Sequence, residues 1–329
     1  MALTDGFGRT ITDLRVSVTD RCNFRCIYCR AAEPENYMPG DHLLTWPEHR
    51  RLCRILAQLG IRKIRVTGGE PLVRPGVEDF IRWLREQAVF EDIALTTNGF
   101  SLAEKVDALK AAGLHRVNVS LDSLRAGRFD RITRSRGALA RVRAGIEAAN
   151  AAGLAPVKVN VVIVRGFNDD EILDFAEFAR RRKLVMRFIE FMPLDADHIW
   201  ERDRVVTAVE MLAQLRQIDD LVALPRQVAS ETALRYRFAD GSAEIGVVAP
   251  VSRPFCGQCS RIRLTADGKI RTCLFSVADH DLRGLLRNGV ADAVIARTIE
   301  EIVAHKEEGH RINQPDFVPP SRTMVFIGG

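Results

Sequence analysis

The sequence of 329 residues has no apolar run near the roughly 18 residues that a membrane-crossing helix needs, which excludes that class. Its opening segment, MALTDGFGRTITD, has no apolar core and carries acidic residues early, so neither a secretory nor an organellar signal is expected and a cytoplasmic location follows. No low-complexity tract or classical repeat interrupts it. The 48 basic residues nowhere form a long run and face 43 acidic ones, for a net charge of +5. A small anionic ligand explains that surplus as well as RNA would, and no nucleic-acid arm is expected. Cysteine is scarce: the seven thiols form two spaced groups of three and one stray. In a cytosolic chain that pattern argues for metal rather than disulfides. Cys53, inside the apolar run RLCRILAQLG, reads as a buried structural thiol.

What is present is a rhythm. From Leu14 to Met192 a short β-branched strand, a polar turn and an amphipathic helix recur, with strands at 14–18, 63–67, 93–97, 116–122, 157–164 and 185–190. Capping boxes are expected at Thr45 with Glu48, Ser101 with Glu104, and Asn168 with Glu171. Gly60, Gly113 and Gly153 stand where helices should end. Six such units predict an α/β fold, a partial (β/α)6 TIM-like barrel spanning 1–195.

The strand faces carry the most information. Arg15 and Ser17, Lys63, Arg65 and Thr67, Thr96 and Asn98, Asn118, Ser120 and Asp122, and Lys158 and Asn160 alternate with branched apolar residues. If the apolar set faces the helices, the polar set lines the inside, which is tolerable only around water or ligand. Arg15, Lys63, Arg65, Lys158 and Arg187 make that interior cationic, as a polyphosphate would require. The alternative is that some of these strands are half-exposed edges.

After Met192 the rhythm stops. A helix from about Thr207, strands ALRYRF and AEIGVV, a hairpin RIRLTADGKIRTCLF with an Asp-Gly turn, a helix near 290–305 and an extended tail ending in Gly328-Gly329 predict a C-terminal α+β domain over 196–329.

Cys22, Cys26 and Cys29 follow the first strand, at the barrel end where active sites are built. Three thiolates can hold three irons of a [4Fe-4S] cubane and leave the fourth open; the alternative is zinc with His42 as fourth ligand. CNFRCIYC resembles the signature of the radical S-adenosylmethionine (SAM) superfamily, and Thr67-Gly68-Gly69-Glu70-Pro71 resembles its glycine-rich motif, in which glycines let carbonyls approach the SAM ammonium. The resemblance implies that SAM chelates the open iron and is cleaved to a 5′-deoxyadenosyl radical. It places Tyr28, Gly69, Ser120 and Met192 at SAM-contact positions.

Cys256, Cys259 and Cys273 form the second triad; a zinc ribbon completed by His280 is its alternative. Arg261 and Arg263 alternate on the strand between these cysteines and suit an anionic nucleotide. From Arg15 through both triads to the terminal Gly-Gly, the chain resembles the GTP 3′,8-cyclase family of molybdenum cofactor biosynthesis. That resemblance implies two [4Fe-4S] clusters, the second binding guanine through its open iron. It implies GTP held by Arg15, Arg65, Thr96, Lys158, Arg261 and Arg263, with Lys63 and Arg187 as additions and with Thr97 as the alternative to Thr96. Catalytic roles fall to Arg261, Arg263, Gly328 and Gly329, the tail entering the active site. The implied reaction joins ribose C3′ to guanine C8. It needs an electron donor of unnamed identity, and its product passes to the cyclic pyranopterin monophosphate synthase. Monomer and homodimer both stay open. Two rival readings are a radical SAM peptide maturase and a zinc-stabilised RNA-binding protein.

Overall fold

Branched apolar residues at every second position of six short segments decide the architecture. The computed structural model describes residues 2–33 and 37–329. Its first half runs β1 (Asp13–Ser17), α1 (Trp46–Gln58), β2 (Lys63–Thr67), α2 (Val77–Glu86), β3 (Asp92–Thr97), α3 (Leu102–Ala111), β4 (Arg116–Ser120), α4 (Ala126–Thr133), α5 (Leu139–Ala151), β5 (Lys158–Ile163), α6 (Ile172–Arg182) and β6 (Val185–Glu190). β1 to β6 lie side by side in parallel, as strand-helix alternation requires. Leu14, Val16, Ile64, Val66, Val117 and Val159 are at most 1% exposed and join the helices in one continuous core. Gly60, Gly113 and Gly153 follow α1, α3 and α5 with φ of 105°, 90° and 71°, the conformation that ends a helix without strain only in glycine.

The second half adds α7 (Ala208–Leu215), β7 (Leu221–Leu224), β8 (Ala233–Phe238), β9 (Glu244–Val248), β10 (Arg261–Leu264), β11 (Lys269–Arg271), β12 (His280–Asp281), α8 (Arg283–Arg287), α9 (Asp292–Ala304) and α10 (Met324–Ile327). β9 pairs parallel with β6 and β10 parallel with β1, so the sheet order is β12-β11-β10-β1-β2-β3-β4-β5-β6-β9-β8-β7. Residues beyond 195 therefore extend the same sheet at both ends. None of β1 to β6 is an edge, and the half-exposed alternative for their polar faces is gone. A smaller apolar cluster, Leu194, Val205, Val251, Phe275, Ile312 and Ile327, fills the space between the end of β6 and the C-terminal tail. No helix among the described residues is long and apolar enough to cross a membrane.

Local expectations fared unevenly. The Thr45–Glu48 capping box forms. Ser101 makes no side-chain capping bond, and Glu104 pairs with Arg141. Asn168 and Glu171 do not cap either. The Asn168 amide donates to the Asp122 and Val162 carbonyls, both at 2.8 Å, and buried Glu171 accepts from Ser123 Oγ and the Leu124 amide, both at 2.7 Å. Tertiary partners outbid the local ones. The Asp-Gly turn lies within a four-residue loop, 265–268, with Gly268 at φ 77°. The tail is not extended: Met324–Ile327 form one helical turn, driven by burial of Val325 and Ile327, each 1% exposed.

Candidate active site

The loop after β1 carries the first triad, and the glycine motif after β2 clamps it. The Gly69 amide donates to the Thr19 carbonyl at 2.7 Å and the Glu70 amide to the Arg21 carbonyl at 2.8 Å. A Cβ on Gly68 would lie 2.7 Å from the Thr19 oxygen and one on Gly69 2.5 Å from the Arg21 oxygen. Both glycines are therefore demanded by packing against the cysteine loop, a requirement beyond exposing carbonyls to a ligand. Glu70, 2% exposed, accepts from the Leu72 amide (2.9 Å), Thr97 Oγ1 (2.8 Å) and the Asn98 amide (2.6 Å). Burial nonetheless pushes its carboxyl up to about 7. Asn98 Nδ2 reaches Asn23 Oδ1 at 2.7 Å and Cys22 Sγ at 3.8 Å, so β2, β3 and the cysteine loop are one unit.

Cys26 and Cys29 close a turn, the Cys29 amide donating to the Cys26 carbonyl at 2.9 Å. Burial, then Glu70, pushes the Cys22 thiol up to about 11. Cys26 is raised by burial, then Asp122, Cys29 and Cys22, so the three sulfurs stand in one another's field. Thiolates crowded in this way call for a bound cation. Among the described residues no three His, Cys, Asp or Glu side chains are arranged to hold a single metal ion. A cubane is held differently, each thiolate on its own iron. His42, the zinc alternative, is exposed in the turn Gly40–His42. Tyr28 donates its hydroxyl to Asp122 Oδ2 at 2.5 Å, tying the triad loop to β4, and burial holds Asp122 up at about 6. Ser120 ends β4 in register with Asn160, and half-buried Met192 packs on the cluster beneath the tail.

Inside the sheet three arginines stand in register on adjacent strands: Arg263 on β10 faces Arg15 on β1, which faces Arg65 on β2. A second row runs Thr96, Asn118 and Lys158 across β3, β4 and β5. Arg187 lies beside Asn160 on the next strand. The side chains of Arg15, Arg65, Lys158 and Arg187 make no hydrogen bond or ion pair among the described residues. Burial, then Arg263 and Arg65, lowers Arg15 well below its usual value; burial, then Arg116 and Arg187, brings Arg65 to about 9. Lys158 falls to about 7 through burial, then Arg187, Arg116 and Arg65. A guanidinium keeps its proton, so the repulsion registers as unmet demand for an anion. Lys63 sits apart, at the start of β2 in register with Asp13 and Asp92. Thr96 faces the lumen beside Asn118, whereas Thr97 is buried against Glu70. That separates the two threonines.

The second triad borders the arginine row. The Cys259 amide donates to the Cys256 carbonyl at 3.0 Å, and Arg261 Nη2 lies 3.4 Å from Cys259 Sγ. Burial raises the Cys259 thiol, but Arg261 and Lys306 outweigh it and hold it at about 7, so that much of it is thiolate near neutral pH. His280 sits on β12 opposite Ile270. Buried Arg9 donates to the carbonyls of Cys256 (2.8 Å), Glu308 (2.6 Å) and Glu307 (2.6 Å) and to Asp5 Oδ2 (2.6 Å). Sequence reasoning missed Arg9 because nothing local signals a contact with Cys256, far away in the chain. Glu70 and Lys306 were also missed as functional groups; of these only Glu70, inside the glycine motif, had a usable signal.

The C-terminal tail enters this cavity. Arg263 Nη1 donates to the Gly328 carbonyl, and Thr67 Oγ1 donates to the Gly329 carbonyl at 2.6 Å. Gly328 has φ 86° and ψ 108°, and a Cβ there would lie 2.8 Å from Ser17 Cβ. The arrangement can hold a polyanion among arginines and places a three-cysteine loop on either side of it.

The Radical SAM superfamily profile matches residues 16–179, and the Molybdenum Cofactor Synthesis C profile matches residues 184–312. The chain is 48% identical to the GTP 3′,8-cyclase of Mycolicibacterium smegmatis, the alignment covering 99% of this chain and 92% of that protein. It is 46% identical to the GTP 3′,8-cyclase of Streptomyces coelicolor, over 99% of this chain and 96% of that one. Among solved structures, Streptococcus suis SuiB bound to S-adenosylmethionine aligns with a TM-score of 0.59, covering 97% of this chain and 78% of that chain. At 12% identity this is a likeness of fold alone.

Proposed function

The chain belongs to the GTP 3′,8-cyclase family of radical SAM enzymes, and on that premise we propose that its barrel lumen holds GTP between two [4Fe-4S] clusters. The enzyme uses SAM and an iron–sulfur cluster to convert GTP to (8S)-3′,8-cyclo-7,8-dihydroguanosine 5′-triphosphate, the first step of molybdenum cofactor biosynthesis. The observation that carries the substrate assignment is the row Arg263, Arg15 and Arg65, in register and lacking carboxylate partners among the described residues.

Cys22, Cys26 and Cys29 would hold the SAM-binding cluster, with Tyr28, Gly69, Ser120 and Met192 around SAM. Cys256, Cys259 and Cys273 would hold the second, against guanine. When loaded, the first cluster would supply the one-electron chemistry for which SAM is bound, and the lumen residues would set the ribose 3′ carbon of GTP toward it. The protein's own part is position. Arg15, Arg65 and Arg263 grip the triphosphate; Lys158 and Thr96 line the next row, Arg187 stands beyond it beside Asn160, and Lys63 adds charge at its foot. Arg261 orients the base edge near Cys259, a placement supported by its contact with that sulfur. The tail, seated by Arg263 and Thr67, closes the cavity against water. Residues 1–195 and 196–329 are thus two functional units within one sheet. An external reductant supplies electrons, and the product goes to the cyclic pyranopterin monophosphate synthase.

Anaerobic incubation with SAM, reductant and each nucleoside triphosphate tests the reading: 5′-deoxyadenosine should rise with GTP. Charge-assisted contacts contribute about 1.5 to 3 kcal/mol each, so three of them should make GTP bind at least about a thousandfold more tightly than guanosine. Equal affinities by calorimetry at low salt would remove the triphosphate assignment.

A further inference from the structure

We propose that Arg322 is a positioning residue that sets the Gly328-Gly329 tail in the lumen by clamping its root to the hairpin of the second triad. Arg322 gives Nη1 to Asp267 Oδ1 at 3.0 Å, Nη2 to Asp267 Oδ2 at 2.8 Å, and Nε to Asp279 Oδ2. Its fork is thus satisfied on both sides, a geometry that fixes direction as well as distance. Asp267 is equally fixed: its side chain is 8% exposed, and Thr265 Oγ1 donates to its Oδ1 at 2.6 Å.

The array reaches the site from two directions. Asp267 lies in the loop joining β10 to β11, and β10 carries Arg263, which holds the Gly328 carbonyl. One hairpin therefore grips the tail at its root through Asp267 and at its tip through Arg263. Asp279 is shared with Arg271, which is 1% exposed, pairs with Arg263 in the strand register and donates to the Ser276 carbonyl. Cys273 lies between Arg271 and Asp279 in the chain, so the cysteine loop is pinned at both ends by the same four charged groups. Arg322 and Arg271 balance Asp267 and Asp279. Removing Arg322 would leave Asp279 with Arg271 alone and Asp267, 8% exposed, with no guanidinium, so both carboxylates would find a different geometry.

Between root and tip there is little else of comparable direction. The Met324 amide donates to the Leu194 carbonyl at 3.3 Å; the bonds from Ile327 to Thr323 (3.2 Å) and from Gly328 to Met324 (2.9 Å) lie within the tail itself, and the side chains of Val325 and Ile327 are buried by apolar contact. Apolar contact holds the turn near the cavity but does not fix its rotation, whereas the Arg322 fork does. The inference rests on the proposed role of the tail at the substrate site and assigns the residue that aims it.

The test uses the full-length, anaerobically reconstituted enzyme as wild type, Arg322→Gln, Arg322→Lys, Asp267→Asn, and a truncation lacking Gly328 and Gly329. Amide hydrogen exchange of the C-terminal peptide reports tail seating without any turnover. Cyclised nucleotide per 5′-deoxyadenosine reports aim. With both clusters loaded and the melting temperature unchanged, Arg322→Gln should exchange about tenfold faster and lose about tenfold in that ratio, losing one charge-assisted grip, with Arg322→Lys between it and wild type. Where Arg322→Gln does not load both clusters, Asp267→Asn carries the same two measurements. Wild-type protection and coupling in the loaded variant, beside an inactive truncation, would overturn this proposal alone. A fully active truncation would overturn the tail's role itself.

Discussion

Replacing Gly328 by alanine tests whether the tail acts by its seat. The backbone there has φ 86° and ψ 108°, and the added methyl would lie 2.8 Å from Ser17 Cβ and 3.2 Å from Thr67 Cγ2. A non-glycine residue in such a conformation costs about 1 to 3 kcal/mol, and forcing one methyl into filled space costs about 1 to 3 kcal/mol more. Opposing this are the bond from Arg263 to the Gly328 carbonyl and that from Thr67 to the Gly329 carbonyl. Such bonds contribute about 1.5 to 3 and about 0.5 to 1.5 kcal/mol. The cost matches or exceeds the grip, so the tail should leave its seat for much of the time. A reacting group displaced by about 1 Å can lose about a hundredfold in rate, and cyclised product should fall on that scale. Gly329 is a built-in control: a Cβ there meets only Met324, at 3.5 and 3.6 Å, which is ordinary contact, so Gly329→Ala should lose far less. The assay quantifies cyclised nucleotide and 5′-deoxyadenosine for both variants after checking iron content and melting temperature, which a terminal residue should not move. A Gly328→Ala enzyme making product at the wild-type rate, with the tail still protected from hydrogen exchange, would refute the steric reasoning.

Serine in place of Cys22, Cys26 or Cys29 should abolish 5′-deoxyadenosine. Serine in place of Cys256, Cys259 or Cys273 should leave slow SAM cleavage but almost no cyclised product, and a well-folded Cys256→Ser enzyme at full rate would make that triad structural. Arg9→Leu removes the clamp on the Cys256 carbonyl. Iron should then fall from about eight to about four per chain, with the first cluster's electron paramagnetic resonance signal kept; unchanged iron would refute it. Lys158, held at about 7, is largely neutral in the free enzyme above that pH, and a bound triphosphate raises it again. GTP binding at pH 8 should therefore take up a proton, seen as calorimetric heats that differ between buffers of different ionisation enthalpy. The difference should shrink at pH 6 and vanish in Lys158→Met; equal heats at pH 8 would count against it. The same lowering makes this lysine destabilise the fold least at high pH, because the unfolded chain keeps its proton up to about 10.5.

Both cysteine triads, the glycine motif and six βα units were legible in the linear order, because spacing and period-two alternation are local properties of the chain. The inward polar face could be read for the same reason: Arg15, Arg65, Thr96, Asn118 and Lys158 each fall one residue from a branched apolar neighbour. Caps were less secure. Thr45 bonds within its own turn, but Asn168 and Glu171 found stronger partners on β4 and β5 and their connections.

What only tertiary structure decided is who meets whom across long stretches of chain. Nothing in the sequence says that β10 pairs with β1, yet that register puts Arg263 beside Arg15 and brings the second triad to the N-terminal end of the barrel strands, opposite the first. Nor does it say that Arg9 holds Cys256, that Arg322 holds Asp267, or that Gly328 fits against Ser17. Charged fork geometry and methyl-sized clearances act only over the length of a bond, and the chain must fold before either exists.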